Sequence, residues 1–333
     1  MALLWSDGFE MASVAAIQSQ YESTTNTSSL FSWRTNGGLN LSSGGLEKRF
    51  NRGYETIIVG IAKNSPSATR AFIQLFDSNG GAQLTLREDG TEYKIYRGTW
   101  DTGTLLATSP AVTVGIGVYI ELLVTVHPTA GAYELRINEV TQFSATNVNT
   151  QNTGTRDVGR VLLWGRWTDG SAGNCYIDDF YIADTAAPAP LGYFLGNQKI
   201  EALIPNAAGD VTGWTAFSDS NYRNVDDRPH NSDVDYNYSS TVNASDLYHL
   251  SNLSNSGSIR GVHVKYVARK DDALVRAVRP LIRTGGVTYA GGNDSLTTSY
   301  DEYFEVWTQN PQTLSDWSVA DINALQVGIQ TTS

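Results

Sequence analysis

Two adjacent carboxylates, Asp178 and Asp179, stand inside the run Tyr176-Ile-Asp-Asp-Phe-Tyr-Ile182, and any chemistry that needs a pair of acids would start there. Successive side chains of a strand point to opposite faces, so the two do not converge on one ion or one bond unless a bulge re-aims them. Their expected role is structural, accepting amides from a turn. A second oxygen-rich run, Asp233-Val-Asp235-Tyr-Asn237, has the alternating ligands that open a calcium loop. It lacks the glycine at the sixth position, where Tyr238 stands, and the carboxylate at the twelfth, where Ala244 stands. It reads as a solvated loop. His127, His230, His249 and His263 are scattered without ligand spacing. Neither a metal nor another cofactor is expected.

Nucleophilic chemistry finds no Gly-x-Ser-x-Gly elbow; Asp169-Gly-Ser-Ala-Gly173 is a turn sequence. Cys175 lies within a strand and reads as a small core hydrophobe. Gly115-Ile-Gly117 precedes a strand, so no helix N-terminus is available for phosphates. Glycoside cleavage needs two carboxylates flanking the bond. Asp301, Glu302 and Glu305 are the nearest cluster, at the polar start of a strand. The residues point to a chain that is not an enzyme. Trp100, Trp164, Trp167 and Trp214 could form a sugar-stacking platform, or fill a core or subunit interface. Of these, Trp164, Trp167 and Trp100 are the candidate carbohydrate or partner contacts.

The surrounding 333 residues carry only 17 % charged residues, against an average of about 25 %. Aromatics reach 11 %, with 17 Tyr and 8 Trp, and Gly is 31. That balance excludes a coiled coil, a disordered chain and a helical bundle, and fits an all-β protein with many turns. The formal net charge is −11 and no basic stripe exists, so nucleic acid is not an expected partner. Cys175 is alone, so no intramolecular disulfide can form. No apolar run is long enough for a membrane-spanning helix. Met1-Ala-Leu-Leu-Trp-Ser-Asp has neither a basic region nor a long apolar stretch, so no signal peptide is expected.

Pro188 and Pro190 mark a stiff, small-residue stretch, Asp184 to Gly192, as the boundary between modules 1–183 and 193–333. In the first, Ile120, Leu122, Val124 and Val126 alternate with Tyr119, Glu121, Leu123 and Thr125. Tyr133, Leu135 and Ile137 alternate with Glu134, Arg136 and Asn138. Such period-two runs are strands with a buried face. Asn79-Gly80-Gly81 and Asp89-Gly90 join neighbours at hairpin spacing, and Asn147 to Thr155 reads as a loop. In the second module, Phe194 to Leu203 reads as a strand ended by Pro205. One helix is expected over Ser318 to Leu325, with Ser318 as cap and Asp321 as its capping-box partner. The fold class is therefore all-β, with two antiparallel β-sandwich (jelly-roll) domains and one short helix near the C-terminus.

The first module resembles a laminin G-like, or concanavalin A-like, sandwich. The resemblance rests on Trp5-Ser-Asp-Gly-Phe-Glu10, Phe72-Ile-Gln-Leu-Phe-Asp-Ser-Asn-Gly80, Gly131-Ala-Tyr-Glu-Leu-Arg-Ile-Asn138 and Tyr176-Ile-Asp-Asp-Phe-Tyr-Ile182. The second is similar to a domain recurrent in structural proteins of tailed bacteriophages. It shares Phe194 to Pro205, Gly213-Trp-Thr, Asn221 to Asp227, Asp233 to Ser240, Ala268-Arg-Lys-Asp-Asp272, and Asn310-Pro-Gln-Thr with Trp317. The pairing implies a virion component assembled in the host cytoplasm. Tail-associated (minor tail or fibre-linked) is the first reading and head decoration the second. A glycan-binding adhesin using the first sandwich is a third. The implied partners are other virion proteins, further copies of the chain, and a host-surface glycan. The resemblance transfers no catalytic residues.

Overall fold

The computed structural model describes residues 3–333 except 11–16, 18–19, 26–28, 35–36, 42–43, 66–67, 113–116, 166–167, 169–172, 186–193 and 255–256. Antiparallel strands make up nearly all regular structure, with one short α-helix near the C-terminus. Contacts divide the chain into Met1–Ile200 and Glu201–Ser333. The division falls after the expected boundary because 194–200 is hydrogen-bonded to the first unit.

The first unit contains β1 (Leu3–Asp7), β2 (Ser23–Thr25), β3 (Ser29–Trp33), β4 (Gly37–Asn40), β5 (Gly45–Tyr54), β6 (Thr56–Asn64), β7 (Ala68–Phe76), β8 (Ala82–Gly90), β9 (Glu92–Arg97), β10 (Thr104–Thr108), β11 (Val118–Thr125), β12 (Gly131–Ile137), β13 (Val140–Val148), β14 (Val158–Trp164) and β15 (Tyr176–Asp184). Sheet I runs β13-β12-β11-β6-β15-β4-β3, with β1 also on β15. Sheet II runs β10-β9-β8-β7-β14-β5-β2. The alternating strands place one set of side chains between the sheets. Val59, Ile61, Ile120, Leu122 and Leu135 of sheet I share a core with Ile73, Leu84, Leu86, Ile95, Val161 and Leu163 of sheet II. Each such aliphatic side chain contributes roughly 1.5–3 kcal/mol when fully buried.

Charge also enters this interior. Lys63 of sheet I donates to Glu88 of sheet II at 2.9 Å, and Arg70 Nε lies 3.0 Å from the other Glu88 oxygen. All three side chains are buried. Desolvating three ions is expensive, so the cluster adds less net stability than its short distances suggest, but losing one member would strand the others. Cys175 is buried nearby, where burial pushes its thiol pKa up.

The second unit contains β16 (Pro205–Thr212), β17 (Thr215–Ala216), β18 (Asn237–Tyr238), β19 (Ser245–Leu250), β20 (Val262–Ala268), β21 (Ala277–Thr284), β22 (Val287–Ala290), β23 (Asp294–Ser295), β24 (Asp301–Trp307), α1 (Val319–Asn323) and β25 (Gln326–Thr331). A sheet of order β16-β19-β25-β21-β22, with β23 on β21, is joined by the ladders β17-β18 and β20-β24. Val264 of β20, Ile282 of β21, Trp317, Ile322 of α1 and Leu325 form the small core. Both halves of the capping box are present at α1: Ser318 Oγ accepts the Asp321 amide, and Asp321 accepts the Ser318 amide.

The expected strand at Phe194 to Leu203 does not form. The first strand beyond the boundary is β16, starting at Pro205. Residues 194–200 instead lie against the outside of sheet I as a strap, held by side-chain carboxylates rather than by a neighbouring strand.

Candidate functional site

A two-sheet sandwich has two outer faces, and only an open one can receive a ligand. On the outer face of sheet I, Ile58, Ala62, Tyr119, Leu123, Tyr181 and Ala183 form an apolar patch. Gly60 makes room for it, since a Cβ there would stand 1.9 Å from the Tyr181 ring. Leu195 of the strap packs into the patch. Glu121 Oε1 accepts the Tyr181 hydroxyl at 2.5 Å and the Gly196 amide at 2.8 Å. Glu139 accepts the Asn197 amide at 3.1 Å. Arg34 Nη2 donates to Asn197 Oδ1 at 2.7 Å and to the Gln198 carbonyl at 2.6 Å. The strap therefore occupies this face.

The Asp178-Asp179 pair belongs to the same face. A register break between Asp178 and Tyr181 bulges β15, and Asp179 has φ of +48°. The bulge turns Asp179 toward the strap, where it accepts the Ile200 amide at 2.7 Å and pairs with Arg34 Nε. Asp178 Oδ1 accepts the Asp179 amide at 2.8 Å, while its other oxygen is buried with no hydrogen-bond partner among the described residues. Burial, then the neighbouring Asp179 charge, push Asp178 up to about 8. Burial also raises Asp179 and Glu121.

The outer face of sheet II is built differently. Inward Leu46, Ile73, Leu84, Ile95 and Leu163 leave the alternate positions facing out. Register aligns Glu47 (β5), Leu162 (β14), Gln74 (β7), Thr85 (β8), Tyr96 (β9) and Leu105 (β10) in one row. Six strands span about 24 Å at the usual spacing. In the adjoining row Arg49 pairs with Arg160, and Arg160 with Phe76. Glu47 binds both cations, Arg49 at 2.6 Å and Arg160 at 3.1 Å, and the Arg160 guanidinium lies 3.9 Å from the Phe76 ring centre. Further along, Arg87 stands opposite Lys94 and lies 4.8 Å from the Trp100 ring. Asp89 holds Lys94 at 2.5 Å and Arg87 at 3.7 Å. The Lys94 hydrogen bond holds the Asp89 carboxyl below its ordinary pKa, and Asp89 in turn raises Lys94. Lys94 is thus a permanent donor rather than a base. Trp164 lies over Gly45, where a Cβ would come within 2.7 Å of its Cε3. The face offers rings, guanidinium and ammonium donors, and the Gln74 amide.

Of the sequence candidates, Trp164 and Trp100 share this face, and Trp167 lies outside the described residues. Trp214 belongs to the second unit, its indole N–H donating to the Ala244 carbonyl at 3.1 Å. Asp233 is bound by Arg269 at 2.9 Å and the Tyr300 hydroxyl at 2.7 Å. Among the described residues no group of three or more His, Cys, Asp or Glu is placed to hold a metal ion. The sequence reading missed Gln74, Arg87, Lys94, Tyr96 and Arg160. Alternation marks each as outward on its own strand, but only the strand order β9-β8-β7-β14-β5 makes them neighbours.

No family model matches the chain. No curated protein matches it. Solved structures similar to it include an endo-β-1,4-glucuronan lyase from Trichoderma reesei, at 11 % identity and a TM-score of 0.41, covering 55 % of this chain and 96 % of that one. The cellulose-induced protein Cip1 matches at 13 % identity and a TM-score of 0.39, covering 56 % and 99 %. A carbohydrate esterase from the Shiga toxin-encoding bacteriophage phi24B matches at 10 % identity and a TM-score of 0.39, covering 54 % and 97 %. The sequence-based expectation that the chain is not an enzyme is corrected here, since carbohydrate-active enzymes stand among its structural neighbours.

Proposed function

We propose that the first unit binds a glycan chain across the outer face of sheet II, within a tail-associated component of a phage particle. The observation that carries the glycan reading is the contrast between the two outer faces. The strap covers the apolar patch of one, and the other carries Trp164, Tyr96 and Trp100 among arginine, lysine and amide donors. Aromatic rings offer apolar faces to sugar rings, and a few placed donors fix the orientation of the chain. Arg49, Arg87, Lys94 and Arg160 set four cations on this face of a chain of net charge −11. They favour a sugar bearing carboxylates, which arginine can grip through two hydrogen bonds. The particle setting rests on the sequence resemblance of the second module.

Affinity electrophoresis through neutral and uronate-containing polysaccharides tests the face. Retention is expected on uronates, reduced roughly tenfold by Trp164→Ala or Arg160→Ala, a loss of about 1.4 kcal/mol. An absence of retention on every polysaccharide would sink the glycan reading. The same incubations are read for new reducing ends, which would extend binding to cleavage. Mass spectrometry of purified particles tests the setting, and a chain missing from them would end that part of the reading.

A further inference from the structure

Two arginines on the outer face of sheet II each rest a head group on an aromatic ring. The Arg160 guanidinium lies 3.9 Å from the Phe76 ring centre, pairs with Glu47 at 3.1 Å and donates through Nη2 to the Gly80 carbonyl at 3.4 Å. The Arg87 guanidinium lies 4.8 Å from the Trp100 ring centre and 3.7 Å from an Asp89 oxygen. The β9–β10 turn brings Trp100 there. Its Gly103 amide donates to the Thr99 carbonyl at 2.9 Å, and the Thr99 and Thr102 hydroxyls meet at 2.8 Å. The turn meets the face at Thr85, whose buried side chain donates to the Gly98 carbonyl at 2.9 Å. Each arginine is therefore held at its own end of the face, so little ordering entropy would be lost on contact.

Register fixes how far apart the two stand. Arg160 is opposite Phe76, Gln74 lies two residues along β7 and opposite Thr85, and Arg87 lies two residues further along β8. Val161, Ile73, Leu75 and Leu86 on these strands point into the core, so Arg160, Gln74 and Arg87 point outward along one diagonal, with Gln74 midway. Four residue rises along the strands and two strand spacings across them separate the two ends by roughly 16 Å. The middle row from β14 to β9, Leu162, Gln74, Thr85 and Tyr96, carries no charge. A single sugar cannot reach both arginines, whereas an extended chain can. Carboxylates on one chain are tied together, so holding the first raises the effective concentration of the second at the other end. We propose that the ligand of this face is a run of several sugars of an acidic polysaccharide, laid along the Arg160–Gln74–Arg87 diagonal, with the two arginines reading carboxylates on sugars that are not neighbours. The inference rests on the glycan reading of this face and adds to it a path and a minimum chain length.

Isothermal titration of the full chain with galacturonate, glucuronate and mannuronate oligomers, from the single sugar to the octamer, tests it. For the uronate that binds, affinity is expected to rise by roughly tenfold or more at the length that first reaches both arginines, and to level off beyond it. The parent chain alone gives this result, so it does not depend on a variant folding. Arg87→Ala is expected to remove the step, leaving long chains bound as weakly as the disaccharide. Equal affinity from the single sugar upward, or a step that survives Arg87→Ala, would overturn the inference and leave the glycan reading intact. No binding at any length would overturn both.

Discussion

Asp178 shows how one residue can be costly and still be kept. Its side chain is fully buried, one oxygen accepts a local amide, and the other meets no described partner. The folded chain raises this group to about 8 from an ordinary value near 3.8. A raised carboxyl pKa means that the folded state binds the proton more tightly than the unfolded chain does. The associated stability is fully present below about pH 4 and is lost as pH rises toward 8. Asp178→Asn removes the charge and keeps the Oδ1 acceptor. Thermal melts should show the variant gaining several degrees over the parent at pH 8 and little or nothing at pH 4. A variant that melts lower than the parent at pH 8 would mean the carboxylate is stabilised by something not yet identified.

At the scale of elements, the strap covers the apolar patch on the outer face of sheet I. Arg34 joins the β3–β4 turn, the β15 bulge and residues 197–198 through one guanidinium. Arg34→Ala would leave Asp179 buried without its cation, which typically costs about 3–5 kcal/mol. Hydrogen exchange should quicken first at the Asn197 and Ile200 amides, before the ladder amides of sheet I. Uniform quickening through both sheets would show that the strap is no separate element. The C-terminal helix has only five residues, so its cap matters more than its propensity. Ser318→Ala should lower stability by about 1 kcal/mol in denaturant melts of the second unit.

For the whole molecule, the distribution of apolar burial sets the order of unfolding. Among the described residues, forty hydrophobic side chains are buried in the first unit and nine in the second. Scanning calorimetry at low protein concentration should resolve two transitions, the second unit melting first; one transition with equal calorimetric and van't Hoff enthalpies would show that the units unfold together. The strands of the first sandwich were legible in the sequence because alternation is a local property. Ile120, Leu122 and Val124 face the core whatever lies opposite, and Ser318 with Asp321 announces the helix from four residues alone. Residues 194–200 defeated the same reading, because a segment laid on a sheet face shows the same apolar spacing as a strand within one. Trp164 and Trp100 could be suspected singly, but their shared face, with Arg87, Arg160 and Gln74, depends on pairings between strands far apart in the chain. The sequence by itself determined the strands of the first sandwich, the helix cap and the net charge, since each follows from composition or from neighbours a few residues apart. Tertiary structure alone decided which face the strap covers, where the buried charges meet and which outward side chains of sheet II become neighbours, since those depend on long-range register that no local pattern encodes.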